Sequence, residues 1–373
     1  MTRQSMLNGR HRALGSDLSQ SWNGMAVPQH YSTSAYEEIA AVRYRAGLID
    51  ISAHKLVSVS GPEATQFLSY LLTTDISKIA AGQSQVSNVV DDAGGLIDDV
   101  IVYCDGPNQF RLSHGSGTLE DVMHDHAKDY DATFARDEDT HLLSFQGPFA
   151  GEVLQVHTPL RLNKLTYFTH HRTTLFGRPA IIARAGFFGE NGFEIFCAAA
   201  DASALWDAIL AAGQELGVIP VSWACLEIAR IEAGLLFFPF EMRHADTTPW
   251  EVNAGWTVDL TKANFRGRSA LVASQGKERT FIAGVEVMAS VAMTPLATVR
   301  YNGHDVGIIT SAAFSRHLMK SLALAQLAPT ATKLGTALEI HDGAEIYKAM
   351  VVQLPFYDPM RLRTHVDSDV GGA

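Results

Sequence analysis

The sequence predicts an α+β protein that ends in an all-β domain. Helical and strand-like patterns alternate as far as about residue 275, the polar stretch Ser274–Thr280 marks a boundary, and only short strand-like segments follow it. The chain has 373 residues, of which 47% are hydrophobic and 18% are charged. This length and composition suit two or three domains with buried cores and exclude an intrinsically disordered chain.

The mixed region carries the local signals of helices and strands in turn. Leu56–Ser60 alternates apolar and polar residues as a half-buried strand does, and Gly94–Gly95 marks a turn before an apolar run. Leu205, Trp206 and Ile209 fall on one face of a helix. In chain order, the predicted elements are a helix over 36–47 that ends at a glycine, a strand over 56–60, a helix from residue 61, strands over 96–103 and 109–112, and helices over about 201–216 and 223–233.

The region after residue 280 has the pattern of an all-β domain. Its short apolar segments are separated by Gly, Pro and Asn, which is typical of a small barrel or sandwich. The predicted strands cover 281–287, 296–301, 306–310, 322–327, 338–340 and 349–353. Residues 1–19 and 363–373 show little periodicity, and we expect loose tails there.

Composition and missing motifs disfavour several classes of protein. The formal net charge is −11 and no basic run occurs, so nucleic acid is not an expected partner. No apolar run approaches the ~18 residues of a transmembrane helix, and no apolar signal core follows Met1, so we expect no membrane association. Three scattered cysteines indicate a reduced, cytoplasmic protein. Since no metal-ligand spacing, dinucleotide loop or nucleophile elbow occurs, no metal is expected.

Three groups of residues could carry chemistry. Asp98 and Asp99 begin an apolar strand, and alternation sends them to opposite faces, so at most one can point into a given cleft; both could instead be solvated turn residues. The glycine-rich segment around Glu190 and Glu194 allows close approach to a ligand, but it also has the pattern of a hairpin. Arg230, near a helix end, could bind a ligand or form a capping ion pair.

Taken in order, five segments resemble the glycine-cleavage T-protein family, the folate-dependent aminomethyltransferases. The likeness is almost residue for residue in Gly94–Val102, which is similar to the family's Gly-Gly-x-x-Asp-Asp-x-Ile-Val. It covers roughly residues 20–360, and the ordered set is more specific than any one motif. The other four segments are Trp22–Tyr31, Ala46–Ser52, Gly186–Ile195 and Arg230–Gly234.

The resemblance implies a three-domain ring with folate in a central channel. The N-terminal domains would be mixed α/β and ferredoxin-like, and the C-terminal domain a β-barrel. On this basis residues 20–275 form the folate-binding region, made of two interleaved domains of about 1–50 plus 140–275 and 51–139, and residues 280–362 form the barrel.

The resemblance also implies roles for individual residues, with tetrahydrofolate as the one-carbon acceptor. Asp98 matches the family's catalytic aspartate, which could take a proton from the folate 5-nitrogen or stabilise positive charge developing there. A buried carboxylate at Glu194 would accept hydrogen bonds from the N–H edge of the pterin in a fixed orientation. The expected cofactor-binding residues are Glu194, Arg230, Phe187, Phe168 and Val86.

Departures from the family pattern suggest a different one-carbon donor. Phe187 and Phe188 stand where the family has Tyr and Thr, and Ser113-His114-Gly115 replaces its Val-Val-Asn. Polar groups on the donor side are thereby lost or moved, which suits a larger or less polar methyl donor. The residues expected on that side are His54, His114 and Tyr103.

Three functions follow from the resemblance. The leading hypothesis is a demethylase-like transferase that moves a methyl group from a small O-, S- or N-methylated donor to the 5-nitrogen of tetrahydrofolate. The first alternative is the aminomethyltransferase reaction, in which a lipoyl carrier (H) protein is the partner and methylenetetrahydrofolate and ammonia are the products. The second is a folate-binding regulator without catalytic activity.

Overall fold

The computed structural model describes residues 3–364. The strands are β1 (Gln20–Trp22), β2 (Met25–Val27), β3 (Gly47–Asp50), β4 (Lys55–Ser60), β5 (Ser84–Val90), β6 (Leu96–Gly106), β7 (Gln109–His114), β8 (Thr133–Arg136), β9 (Thr140–Gln146), β10 (His170–Leu175), β11 (Arg178–Ala183), β12 (Gly192–Ala198), β13 (Ile219–Pro220), β14 (Phe281–Val287), β15 (Thr298–Tyr301), β16 (His304–Ser315), β17 (Lys320–Leu327), β18 (Ala337–Asp342) and β19 (Glu345–Val352). The α-helices are α1 (Asn8–Ala13), α2 (Ala35–Tyr44), α3 (Ala64–Leu71), α4 (Leu119–His126), α5 (Ala150–Gln155), α6 (Ala199–Ala212), α7 (Trp223–Glu232) and α8 (Arg268–Ser274).

The strands form two open sheets, a closed barrel and a small hairpin of β1 and β2. The first sheet has six strands in the order β10-β11-β12-β9-β3-β13, and the second has five in the order β5-β6-β7-β4-β8. The barrel closes in the order β14-β17-β16-β15-β18-β19. The α+β class and the C-terminal barrel predicted from the sequence are therefore confirmed.

The two open sheets share one buried layer, which we call the inter-sheet layer. It joins Ile49 and Phe196 of the first sheet to Leu56 and Tyr103 of the second, and α7 adds Trp223 to it. The outer face of the first sheet packs on α5 and α6, and the outer face of the second packs on α3 and α4. Each side of the second sheet is thus covered, so side chains on its two faces meet different surroundings.

Helix α7 connects the inter-sheet layer to the barrel through buried charge. Arg43 of α2 donates to Glu232 Oε2 from Nη2 at 2.7 Å and from Nε at 3.0 Å. The other oxygen of Glu232 accepts a hydrogen bond from Ser315 Oγ of β16 at 2.5 Å. Arg43 and Glu232 are both buried, so water cannot take the place of either one. Loss of one partner would leave the other as an uncompensated charge in the protein interior.

Several predicted boundaries differ from the structure. The helix predicted over 36–47 ends at Tyr44, and Gly47 begins β3 instead of ending the helix. A Cβ at Gly47 would lie 2.7 Å from Val221 Cγ1 and 2.8 Å from Val42 Cγ2, so glycine is needed there for close packing of strand and helix. The strand predicted over 306–310 extends across His304–Ser315.

The expected loose N-terminal tail is wrong for most of its length. Residues 8–13 form α1, and Leu7 and His11 are fully buried. His11 Nε2 lies 3.0 Å from Asp50 Oδ2, and His11 Nδ1 lies 2.9 Å from the Tyr31 hydroxyl. Although burial opposes ionisation, hydrogen bonds from His11 and from serine hydroxyls lower the pKa of Asp50 to about 2. At the other end, residues 365–373 of the expected tail lie outside the described residues.

Between residues 3 and 364, no helix combines the length and the apolar character needed to cross a membrane.

Replacing Leu7 by alanine is expected to lower the free energy of unfolding by about 2–5 kcal/mol, because the leucine side chain is fully buried and leaves a cavity. The control is the adjacent Met6→Ala, whose side chain is 54% exposed and should change that free energy by about 0.5 kcal/mol or less. Urea unfolding measures both. Equal effects of the two substitutions would mean that the N-terminal segment does not pack as described.

Candidate functional site

Strand β6 divides the site because its residues alternate between two faces. Val100 and Val102 join the core against α3 and α4, whereas Ile101 and Tyr103 join the inter-sheet layer. Asp98 shares the face of Val100, and Asp99 shares the face of Ile101. The expectation that only one of the two carboxylates can enter a given cleft agrees with this arrangement.

Asp98, expected to be catalytic, has no exposed surface. Its Oδ1 accepts a hydrogen bond from the Asp99 amide at 3.0 Å, and its Oδ2 accepts from His114 Nδ1 at 2.8 Å and from the Leu119 amide at 3.2 Å. A side chain at Gly117 would collide with the Asp98 carboxyl. Asp98 is thus enclosed by protein groups on the face away from the inter-sheet layer, and its catalytic role stays a prediction.

His114, expected on the donor side, lies on the same outer face as Asp98. It pairs in register with Val100 and is buried. Its Nε2 lies 3.3 Å from Glu120 Oε1. Burial opposes protonation of His114, but its contacts with Asp98 and Glu120 outweigh this and raise the pKa of the imidazole. This residue therefore belongs to a buried charge pair and does not line the donor side.

Asp99 faces the inter-sheet layer and keeps part of its surface exposed. A Cβ at Gly115 would lie 3.2 Å from Trp22 Cζ2 and 3.9 Å from Asp99 Oδ1, so the indole and the carboxyl border the same glycine. Burial, and then the nearby charge of Asp98, raise the pKa of Asp99 to about 7. A carboxyl with such a pKa can give or take a proton near neutral pH. The sequence pattern marks both carboxylates as candidates, and the resemblance assigns the catalytic role to Asp98 and no role to Asp99.

Glu194 lies on β12, across the inter-sheet layer from β6. The Tyr103 hydroxyl donates a hydrogen bond to Glu194 Oε2 at 3.1 Å, and both side chains are buried. Burial raises the pKa of Glu194 to about 7 against the effect of this hydrogen bond. Within residues 3–364 Tyr103 is the sole hydrogen-bond donor to this carboxylate, so its other oxygen can accept from a ligand. Tyr103, expected on the donor side, instead supports the expected pterin-binding glutamate.

A group of aromatic rings, which we call the Trp22 cluster, borders Asp99 at Gly115. Trp22 is its centre, with ring centroids 4.9 Å from His54, 5.2 Å from Trp223 and 5.5 Å from Phe237. Phe187 lies 6.1 Å from Phe237 and completes the cluster. These rings give the site an apolar wall beside a carboxyl.

His54 is the titratable member of the Trp22 cluster. Its Nδ1 lies 3.2 Å from Ser113 Oγ. Burial, with a further contribution from the charge of His114, lowers the pKa of His54 to about 4. The imidazole is therefore neutral at physiological pH and offers hydrogen bonds without a charge.

The remaining expected cofactor residues lie at different depths. Val86 pairs with Ile101 and shares its face. Phe188, the neighbour of the expected Phe187, is fully buried in the inter-sheet layer. Phe168 has φ +61° and packs its ring against Tyr167 at 4.6 Å. Burial, with a contribution from Glu194, raises the pKa of Tyr167 to about 12.

A small cleft with a cavity volume of about 50 Å³ opens next to Tyr167. Sequence analysis missed most of its lining, because these residues come from distant parts of the chain. The lining includes Tyr167, Gly186, Leu235, Tyr357 and Arg361.

Arg230, expected beside the pterin, uses its guanidinium for protein partners. Nη1 lies 3.2 Å from both oxygens of Glu241, and Nη2 donates to Ser311 Oγ of the barrel at 2.6 Å. Nη2 also pairs with Glu227. Arg230 and Glu241 have no exposed surface, so the arginine compensates a buried carboxylate and joins α7 to β16. The ion-pair alternative of the sequence analysis describes this residue better.

The part of the chain that the structure describes contains no group of three or more His, Cys, Asp or Glu side chains placed to hold a metal ion.

Comparison with known proteins adds to this geometry. The family model described as "GCVT N-terminal domain" matches residues 7–262, and "Glycine cleavage T-protein C-terminal barrel domain" matches residues 282–358. The chain is 39% identical to the "Heme-dependent oxidative N-demethylase gamma subunit" of Ectopseudomonas mendocina, over 96% of each chain. It is 33% identical to an aminomethyltransferase of Thermotoga petrophila, over 93% of this chain and 96% of the other. The crystal structure of aminomethyltransferase T from Bartonella henselae superposes with a TM-score of 0.87 at 27% identity, covering 95% of this chain and 98% of that one.

Replacing Arg230 by alanine is expected to lower the free energy of unfolding by about 3–5 kcal/mol, because Glu241 is left as a buried carboxylate without its cation. Urea unfolding measures the loss, and titration with tetrahydrofolate measures affinity in the fraction that stays folded. Arg243→Ala is the control, since that side chain is exposed nearby. A large loss of tetrahydrofolate affinity without a loss of stability would indicate instead that Arg230 binds the pterin.

Proposed function

The chain belongs to the glycine cleavage T-protein family, and from this we propose that it is a tetrahydrofolate-dependent one-carbon transferase whose one-carbon unit is the oxidised N-methyl carbon of a small N-methylated compound. The observation that supports the proposal is that Asp99 and Tyr103 lie on the same face of β6. The Tyr103 hydroxyl in turn donates a hydrogen bond to Glu194. One surface thus offers an acid–base group and an anchoring carboxylate, each with a pKa near 7.

Glu194 is proposed to hold the acceptor. The pterin edge of tetrahydrofolate presents N–H donors, and a buried carboxylate that already accepts from Tyr103 has a free oxygen to receive them. Charge-assisted hydrogen bonds of this kind fix orientation as well as affinity.

Asp99 is proposed to be the acid–base group for the folate 5-nitrogen. Holding that nitrogen beside the incoming carbon replaces a bimolecular encounter with an oriented one. When the nitrogen forms its bond to carbon it gains positive charge, and the Asp99 carboxylate can stabilise that charge or accept the proton released. Asp98, enclosed on the opposite face, cannot do this itself.

The donor is inferred from the Trp22 cluster and from a relative. The apolar rings beside Asp99 suit methyl groups better than a polar carrier arm. The relative from Ectopseudomonas mendocina is by its name an oxidative N-demethylase subunit, and oxidation of an N-methyl group brings its carbon to the level of formaldehyde. We therefore infer that this chain works beside other subunits and forms 5,10-methylenetetrahydrofolate from that carbon. Direct methyl transfer would give 5-methyltetrahydrofolate instead.

The aminomethyltransferase reaction is the second candidate. It is supported by the 33% identity to the Thermotoga petrophila protein and by the superposition on the Bartonella henselae structure. In this reaction a lipoyl carrier protein brings the aminomethyl group and ammonia is released. Ammonia therefore distinguishes the two candidates, since the N-methylated donor releases an amine.

Tetrahydrofolate is expected to bind more tightly as the pH rises from 6 to 8, by about tenfold, because Glu194 loses its proton over this range and becomes the better acceptor. Anaerobic calorimetric titration measures the affinity. Glu194→Gln should weaken binding and remove the pH dependence, whereas Glu152→Gln, a change at an exposed position, should keep both. Binding that is unaffected by Glu194→Gln would contradict the pterin assignment.

Asp99→Asn is expected to lower the rate of product formation by roughly 10²–10⁴-fold, the usual contribution of an acid–base group. Three mixtures identify the donor: tetrahydrofolate with ¹³C-labelled formaldehyde, with a ¹³C-methylated amine, or with an aminomethyl-loaded lipoyl carrier protein. Methylenetetrahydrofolate formed from the first mixture, faster than without protein, supports the proposal. Ammonia from the third would identify an aminomethyltransferase, and binding without turnover in any mixture would identify a folate-binding regulator.

A further inference from the structure

A line of buried charges runs behind β6, on the face opposite the proposed reaction site. We propose that Asp98 and His114 form a positioning pair for Asp99: they hold its backbone and set the pH at which its carboxyl releases a proton. This inference rests on the proposed acid–base role of Asp99. It assigns a purpose to a histidine that the T-protein resemblance does not explain.

The pair is tied directly to Asp99 through the backbone. Asp98 Oδ1 accepts a hydrogen bond from the Asp99 amide at 3.0 Å. Asp98 Oδ2 accepts from the Leu119 amide at 3.2 Å, so the same carboxylate also holds the first residue of α4. Asp98 and His114 are both buried, which strengthens their interaction and prevents water from replacing either partner.

His114 is surrounded by charged groups from three other elements. Glu120 of α4 lies 3.3 Å from its Nε2, and Arg136 of β8 donates in turn to Glu120 at 2.8 Å. Lys55 of β4 faces His114 in register and donates to the Gly117 carbonyl at 3.1 Å. The lysine opposes protonation of the imidazole, but the two carboxylates outweigh it and raise its pKa.

Among residues 3–364, the groups facing Asp99 on its own side carry no formal charge. Asn88 is opposite Asp99 on β5, Trp22 borders it at Gly115, and His54 is neutral above its pKa of about 4. The nearest charges that can tune Asp99 are therefore those of Asp98 and His114 behind it. They act in opposite directions, because the Asp98 carboxylate favours protonation of Asp99 and the His114 imidazolium disfavours it.

The opposite effects of the two charges on the pKa of Asp99 distinguish a positioning pair from a pair that only stabilises the fold. If the pair only stabilised the turn before α4, changing either member would lower stability without a consistent effect on the pKa of Asp99. A positioning pair predicts shifts in two directions: removal of the His114 charge makes Asp99 harder to ionise, and removal of the Asp98 charge makes it easier.

The experiment follows the Asp99 carboxyl carbon by ¹³C NMR titration in the full-length protein, assigned by its loss in Asp99→Asn. His114→Asn keeps a side-chain donor for Asp98 but removes the charge, and should raise the Asp99 pKa by roughly 0.5–1 unit. Asp98→Asn should lower it by a similar amount. His304→Asn, an exposed change in the barrel, is the matched control and should leave the titration unchanged. If His114→Asn does not fold, His114→Gln takes its place.

The pH dependence of kcat provides the second readout. One limb of the pH profile of kcat should disappear in Asp99→Asn. In His114→Asn and in Asp98→Asn, the apparent pKa of that limb should shift in the same direction as the Asp99 pKa measured by NMR. Shifts in the same direction, or no shift in a folded variant, would overturn the positioning pair. A wild-type pH profile that Asp99→Asn leaves intact would overturn the acid–base role of Asp99 instead, and the NMR titration would still decide whether the pair controls its proton.

Discussion

The pleat of one strand separates the two neighbouring carboxylates of this protein. Successive side chains of β6 point to opposite faces, and each face of the second sheet is packed against a different layer. The Asp98 carboxylate therefore lies in a core that excludes water, where its negative charge must be compensated. His114 and a backbone amide compensate it through hydrogen bonds. Asp99 enters the inter-sheet layer, where partial burial and the negative charge next to it keep its proton available near neutral pH. The rest of the site depends on this division, because a shift of one residue would exchange the two environments.

Desolvation, more than ion pairing, shapes the groups on the inter-sheet side. Burial brings Asp99 and Glu194 to a pKa of about 7 and holds His54 neutral. The Trp22 cluster supplies the apolar surface that makes this possible. Ion pairs are placed at the edges of the site, as in Arg230 with Glu241, where they join secondary-structure elements and leave the site itself with little fixed charge.

Much of the architecture could be predicted from local pattern, but the assignment of faces could not. Alternation and turn residues indicated β6, the barrel strands and the boundary near residue 280, and alternation showed that Asp98 and Asp99 must diverge. Which of them faces the ligand depends on which layer covers each side of the sheet, and that is decided by contacts with α4 and the first sheet. Two partners of Arg230, Glu241 and Ser311, lie 11 and 81 residues away, and the buried contacts of His11 reach Asp50, so no local window contains them. The structure thus adds contacts of Asp98, His114, Tyr103 and Arg230 that no local pattern contains.

The hydrogen bonds that join Arg43, Glu232 and Ser315 affect how the protein unfolds. A charged pair enclosed between α2, α7 and β16 cannot lose one side without leaving an uncompensated ion in an apolar interior. Separation of the barrel from the N-terminal sheets therefore costs about 3–5 kcal/mol for the loss of this buried pair. The protein should melt in one cooperative transition, and deletion of the barrel should leave an insoluble remnant instead of a smaller working enzyme.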